Sequence, residues 1–293
     1  MRDWKVAVVT GGASGIGAVL GEGLVRRSCF VLLADIDEEG VHRVAERVSR
    51  IGPGQAVGRV LDVRDAESVM VTVQETAKRH GRLDLMFNNA GIALAGYAQE
   101  FSLAHWQRAI DVDLYGVIHG VRAAYPLMLD QGYGHIVNTA SLAGLGPAPG
   151  VLPYSTAKFG VVGLSLGLRA EAAGSGVRVS VVIPGIIDTP ILDKKREEKT
   201  RGLAMTQSEE QLDPIPFLMH MSGLRALYPP ERVAEDVLRG VQANRALIFA
   251  PAAARRLWRL WRFLPGPVEA MTVRRFQRER KRWDHSYNRI HAA

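Results

Sequence analysis

Val6-Ala7-Val8-Val9-Thr10-Gly11-Gly12-Ala13-Ser14-Gly15-Ile16-Gly17 is the stretch on which the architecture turns. Its apolar opening has no polar alternation, which is the mark of a strand covered on both faces. The glycines that follow let the backbone turn sharply and approach a ligand closely, and a helical segment comes next. A strand that feeds a helix through such a loop presents free amides and the positive helix end to an anion such as a pyrophosphate. Glycine clusters also serve plain turns. The position of this one, after the first strand and at the mouth of a helix, favours a dinucleotide site.

Working outward, short runs rich in Val, Ile and Leu recur at Val6 to Thr10, Phe30 to Asp35, Ala56 to Asp62, Leu83 to Asn88, His135 to Ser141, Val177 to Ile183 and Ala246 to Ala250, separated by segments of helical period. Seven buried strands alternating with helices predict an α/β fold, a doubly wound seven-stranded parallel sheet of Rossmann type. It forms one domain over residues 1–250, followed by a basic amphipathic extension over 251–293. Asp65 and Ser102 sit where side-chain oxygens cap helix starts. Between 186 and 230 the alternation breaks, through the charged run Asp193 to Lys199 and the apolar Phe217-Leu218-Met219. A long irregular segment in a compact domain predicts a lid or substrate loop.

The 47% hydrophobic content over 293 residues excludes a disordered or fibrous chain. The single cysteine, Cys29, lies beside Phe30-Val31-Leu32-Leu33, so it is expected to be a buried structural thiol, and its solitude fits a reducing cytoplasm. Val6 to Val9 is too short for a signal-peptide core, and no run has the length to cross a bilayer. A cytoplasmic protein is therefore expected. From Pro251 onward there are eleven basic residues against three acidic ones, which more than accounts for the formal net charge of +7. The basicity belongs to the appendage, and no nucleic-acid partner is expected for the body.

Asp35 closes the second strand about 20 residues beyond the glycines, where a carboxylate accepts hydrogen bonds from an adenosine ribose and repels a 2′-phosphate. No Arg or Lys lies within Gly11 to Gly17 or directly after Asp35 to offset that repulsion, so NAD is expected over NADP. The alternative is that Asp35 caps the next helix.

With the segments that follow, these residues resemble the short-chain dehydrogenase/reductase family over about residues 4 to 250. Gly11, Gly15 and Gly17 have its G-x-x-x-G-x-G spacing, with Ser14 and Ile16 inside the loop. Asp62-Val63 matches its adenine-contacting pair, and Asn88-Asn89-Ala90-Gly91 its signature after the fourth strand. Tyr154-Ser155-Thr156-Ala157-Lys158 is its Y-x-x-x-K motif, with Ser141 thirteen positions before the tyrosine. Pro184-Gly185, then Ile187 and Thr189, match the segment that touches the nicotinamide carboxamide. The resemblance implies an NAD-dependent oxidoreductase acting on an alcohol or ketone, with Lys158 also bonding the nicotinamide ribose. It further implies a homodimer or homotetramer built on the helices from Ser102 to Met128 and Tyr154 to Ala173.

The side chains support the chemistry independently. Tyr154 and Lys158 are four apart and share a helix face. A free phenol, with a pKa of about 10, is a poor base near neutrality, and a fixed ammonium beside it favours the phenolate. Tyr154 would then serve as base in oxidation and acid in reduction, with Ser141 donating to the substrate oxygen. One position departs from the family. Where many members carry Asn in an N-x-x-G context, this chain has Asp113-Leu114-Tyr115-Gly116, and an ionised Asp only accepts. Near Lys158 it would either pair with the ammonium and weaken its pull on Tyr154, or anchor a water chain. Asp113 is kept as a catalytic candidate. No metal site is expected.

Leu142 to Pro149, Ile92-Ala93-Leu94 and Ile186-Ile187 are apolar and fall on loops at the strand ends, which favours a lipophilic alcohol or ketone over a sugar. In the extension, Leu257, Leu260, Trp261 and Leu264 fall at helical spacing, ended by Pro265-Gly266-Pro267. This stripe either lies on an anionic membrane surface or docks on the body or a neighbouring subunit with its arginines solvated, docking being preferred. Two rival functions stay open. One is an NAD-binding redox-sensing or scaffold protein without turnover, supported by Asp113. The other is an epimerase or dehydratase, disfavoured because no added substrate domain is evident.

Overall fold

The computed structural model describes residues 4–192 and 227–291. Seven strands form one parallel sheet: β1 (Val6–Thr10), β2 (Phe30–Asp35), β3 (Gln55–Val60), β4 (Leu85–Asn88), β5 (Gly134–Thr139), β6 (Val177–Pro184) and β7 (Leu247–Ala250). Their order is β3-β2-β1-β4-β5-β6-β7, so the winding reverses between β1 and β4. In such a sheet the ligand crevice opens at the carboxyl ends of the strands on either side of the reversal.

The helices explain why the strands carry no polar alternation. On one face, α1 (Gly15–Val25), α2 (Glu38–Ser49) and α7 (Pro230–Gln242) bury Leu20, Leu24, Val41 and Val237 against Val9, Val31 and Leu33. On the other, α3 (Ala66–His80), α5 (Gly116–Gln131) and α6 (Leu152–Glu171) bury Val73, Val121 and Val161 against Val8, Met86 and Val181. The central strands β1, β2 and β4 are covered on both faces and are correspondingly apolar, while the edge strand β3 keeps Gln55 and Val60 exposed. Cys29 is fully buried in the first of these layers, its thiol directed at the Trp4 carbonyl 3.2 Å away.

Helix starts follow the expected caps. The Asp65 carboxylate accepts from the Glu67 and Ser68 amides at the start of α3, and the Ser102 hydroxyl accepts from the His105 amide at the start of α4 (Leu103–Ile110). Two strands end earlier than the apolar runs indicate. Leu61-Asp62 after β3 and Ala140-Ser141 after β5 leave the ladder to line the crevice, which is why their sequence reads as strand while their backbone does not.

Between α4 and α5 the chain winds through one wide π turn, Asp111–Tyr115, in which the Gly116 amide reaches back to the Asp111 carbonyl. Insertions of this kind recur at functional sites. The expected lid over 186–230 falls largely outside the described residues, as do Asp193 to Lys199 and Phe217-Leu218-Met219. Its described flanks are tied together: the Tyr228 amide donates to the Ile186 carbonyl at 3.0 Å, and the Asp188 amide to the Tyr228 carbonyl at 3.1 Å. Beyond β7 the chain continues as α8 (Ala254–Phe263) and α9 (Pro265–His291). No helix among the described residues is long and apolar enough to cross a membrane.

Candidate active site

The loop after β1 is shaped by backbone, not by side chains. Gly11 and Gly15 adopt φ of +69° and +51°, a region that a Cβ disfavours. A Cβ on Gly17 would fall 2.0 Å from the Gly11 carbonyl oxygen, so only glycine lets α1 begin this close to the turn. The first turn of α1 leaves amides without intrahelical acceptors at its N-terminus. Gly11, Ser14, Gly15 and Ile16 line the crevice, and Gly17 supports them from behind.

At one end of the crevice lies Asp35. Its two oxygens accept from the amides of Ala13 and Asp37, each at 3.0 Å, so the carboxylate is locked onto the glycine loop. Burial raises its pKa above the ordinary carboxylate value, partly offset by those amide bonds. Asp35 does not cap the next helix. Asp37 does, accepting from the Gly40 amide. Asp62 and Val63 form the neighbouring wall. Burial alone would raise the Asp62 pKa, but hydrogen bonds from Arg64 (Nε to both oxygens, 3.0 and 2.9 Å) hold it below the ordinary value.

The Asn89-Ala90-Gly91 loop is pinned from two strands. Thr10 Oγ1 accepts from the amides of Asn89 at 2.9 Å and Ala90 at 3.1 Å, and Thr139 Oγ1 donates to Asn89 Oδ1 at 3.2 Å. Behind it, a buried chain of side chains runs from Asn88 to Asn138 at 2.8 Å and on to Ser165 at 3.0 Å, joining β4, β5 and α6. Pro184, Gly185, Ile187 and Thr189 form the opposite wall, with the Thr189 methyl against the site where a Gly15 Cβ would stand.

Ser141, Tyr154 and Lys158 converge at the far end. Lys158 lies one turn beyond Tyr154 on α6, its ammonium 5.5 Å from the Tyr154 ring centre, and Ser141 lines the same end of the crevice. The ammonium donates to the Thr139 carbonyl at 3.1 Å and pairs with Asp113 Oδ1 at 3.1 Å. Asp113, carried inward by the π turn, does not line the crevice. It sits behind Lys158, fully buried, and also accepts from the Ile92 amide at 3.1 Å. Burial would lower the Lys158 pKa, but Asp113, with a contribution from Tyr154, raises it above the usual lysine value.

Here the expectation for Tyr154 needs correction. Lys158 does pull the phenol toward ionisation, as does Ser141, but desolvation is the larger effect and Asp113 adds to it. The net result is a phenol raised above its ordinary value. The spacing of Tyr154 and Lys158 carried no information about how deeply the pair is embedded. Sequence reasoning also missed the Thr139 carbonyl, the Asn88-Asn138-Ser165 chain and Arg108, which lines the crevice beside Asp62. Asn88 stands in the signature after β4, but its partners and the other groups have no spacing signal, since each acts through contacts between distant segments.

The cavity these groups enclose measures about 410 Å³. It fits an extended dinucleotide: side-chain-free glycines for the phosphates, a carboxylate at the ribose end, and Tyr154 with Lys158 at the other end.

Similarity to known proteins agrees with the geometry. Residues 5–200 match the family described as short chain dehydrogenase. The putative oxidoreductase SadH of Mycobacterium tuberculosis is 33% identical over 248 residues, covering 84% of this chain and 86% of that protein. A cyclohexanol dehydrogenase of an Acinetobacter species is 34% identical over 220 residues, covering 73% of this chain and 87% of that one. A short chain dehydrogenase/reductase of Burkholderia phymatum, solved in complex with NAD, superposes with a TM-score of 0.79 at 32% identity, over 89% of this chain and 94% of that one. The chain belongs to the short-chain dehydrogenase family of oxidoreductases, which use a nicotinamide dinucleotide.

Proposed function

We propose that the protein interconverts a secondary alcohol and a ketone on a lipophilic substrate, with NAD as cofactor and Tyr154 as general acid and base. The observation that carries the reading is the fixed ammonium of Lys158 beside the Tyr154 ring, held by Thr139 and Asp113. The amides of the glycine loop and α1 would hold the pyrophosphate, Asp35 the adenosine ribose, and Lys158 the nicotinamide ribose. When bound, the nicotinamide ring accepts or supplies the hydride. In oxidation the Tyr154 phenolate takes the hydroxyl proton from the substrate, and in reduction the phenol returns it. Ser141 donates a hydrogen bond to the substrate oxygen, and Lys158 stabilises the phenolate. Asp113 keeps Lys158 charged at the cost of part of its pull on the phenol.

The preference for NAD rests on Asp35, whose carboxylate repels a 2′-phosphate. The lipophilic substrate rests on the walls near Tyr154: Ile92, Ala93, Leu142, Pro147, Pro149 and Ile186. A homo-oligomer is part of the reading. Leu103 on α4, Leu129 on α5, and Phe159 and Leu166 on α6 are exposed apolar side chains on the helices where the family resemblance places subunit contacts.

Incubation with NAD and a panel of secondary alcohols, from short and water-soluble to long-chain and cyclic, tests the reading through the absorbance of reduced nicotinamide. Turnover rising with apolar bulk supports it. The raised Tyr154 phenol and the Asp113 charge favour one second reading, NAD binding without turnover. Tight NAD binding with no turnover of any alcohol or ketone would put that in its place.

A further inference from the structure

The extension shows two different faces. Toward the body, Trp258 packs on Phe249 with ring centres 5.5 Å apart, and Trp261 lies on Gly146, where an added Cβ would fall 3.3 Å from its ring. On α9, Phe276 meets the Tyr97 ring edge-on at 5.7 Å, and the Arg280 guanidinium stands 5.8 Å from the same ring centre. Gly146 and Tyr97 belong to the two loops that wall the substrate end of the crevice, and the Gly96 amide joins those loops by donating to the Gly150 carbonyl at 2.9 Å. The two helices therefore rest on the rim of the crevice.

Away from the body, α8 ends in a cluster that the fold does not cover. Phe263 is 73% exposed, Leu264 50% and Leu260 44%, followed by the exposed Pro265-Gly266-Pro267 that opens α9. Exposed Arg256 and Arg259 project on the same side of the helix. No Asp or Glu occurs between Pro251 and Val268. Single exposed apolar residues are ordinary, but a contiguous trio flanked only by arginines has the make-up of a surface that sinks its apolar groups below a layer of anions. A second copy meeting this patch about a two-fold axis would oppose arginine to arginine.

We propose that the solvent face of α8 and the first residues of α9 dock on an anionic lipid bilayer, setting the crevice rim beside the membrane so that lipophilic substrate exchanges with the bilayer. The docking deepens the lipophilic-substrate reading but is measured without it.

Flotation of the full chain with phosphatidylcholine vesicles, with and without phosphatidylglycerol, tests the proposal. The wild type should float with the anionic vesicles, with a bound fraction about tenfold lower when phosphatidylglycerol is omitted or salt is raised. The triple substitution Leu260→Ser, Phe263→Ser, Leu264→Ser should lower binding about tenfold or more. Arg256→Gln with Arg259→Gln should remove much of the dependence on anionic lipid. Both variants should keep wild-type turnover of a water-soluble secondary alcohol. Wild type that stays below the vesicles, or variants that float as it does, would overturn the proposal. So would a wild type that ignores vesicles but sediments as a larger assembly than the triple variant, which would mark the face as a contact between copies. Turnover without flotation removes the docking alone, and flotation without turnover removes the oxidoreductase reading alone.

Discussion

The Lys158 ammonium and the Asp113 carboxylate stand 3.1 Å apart, 3% and 0% exposed. A buried pair of this kind fixes the lysine as a cation, because losing the proton would strand the carboxylate. The Asp113 charge also repels a phenolate at Tyr154 and so offsets part of the attraction from the lysine. Burial is the larger cause and the Asp113 charge adds to it, so Tyr154 ionises at higher pH than a tyrosine in water.

Asp113→Asn keeps an acceptor for the Ile92 amide and for Lys158 but removes the charge that pushes Tyr154 upward. In the proposed mechanism alcohol oxidation needs the phenolate, so its rate should rise as pH climbs through the Tyr154 pKa. With that pKa lowered, the rising limb of the oxidation profile should move to lower pH. Steady-state rates across pH for both proteins check this. An unmoved or alkaline-shifted limb would mean that Asp113 does not act on the phenol through charge.

Gly91 lies against the same pair. A Cβ there would fall 2.6 Å from Asp113 Oδ1 and 3.3 Å from the Lys158 ammonium. Gly91→Ala should therefore wedge the ion pair and cost about 1–3 kcal/mol of stability, read by denaturant unfolding. Turnover should fall with it. Asp113→Ala, which leaves a buried ammonium without its counter-charge, should cost more, about 3–5 kcal/mol.

Much of this was legible before any coordinates. Double coverage of the sheet leaves strands such as Val6–Thr10 with no polar face, so apolar runs located them, and the glycine loop has local causes that show in its spacing, positive φ at Gly11 and Gly15 and a clash with the Gly11 carbonyl at Gly17. The four-residue step from Tyr154 to Lys158 encodes a shared helix face. What the sequence withheld depends on contacts between distant segments. The wide turn at Asp111–Tyr115 has no periodicity signal, yet it carries Asp113 under Lys158. The extension shows the same limit. Its apolar stripe of Leu257, Leu260, Trp261 and Leu264 is divided, since α8 leans on the body through Trp258 and Trp261 while Leu260 and Leu264 stay exposed.

Asp35→Ser removes the carboxylate proposed to hold the adenosine ribose while leaving a hydroxyl. Relief of like-charge repulsion should raise kcat/KM with NADP relative to NAD by on the order of tenfold or more. Parallel kinetics with the two cofactors measure the ratio. An unchanged ratio would place the discrimination elsewhere in the crevice.

Proton transfer at Tyr154 is what would make this crevice an oxidoreductase site, and Tyr154→Phe isolates it when NAD affinity and alcohol-dependent nicotinamide reduction are measured on the same preparation. NAD should bind close to wild-type strength while turnover falls by about 100-fold or more. Turnover at the wild-type rate from the phenylalanine variant would contradict a proton-transfer role for Tyr154.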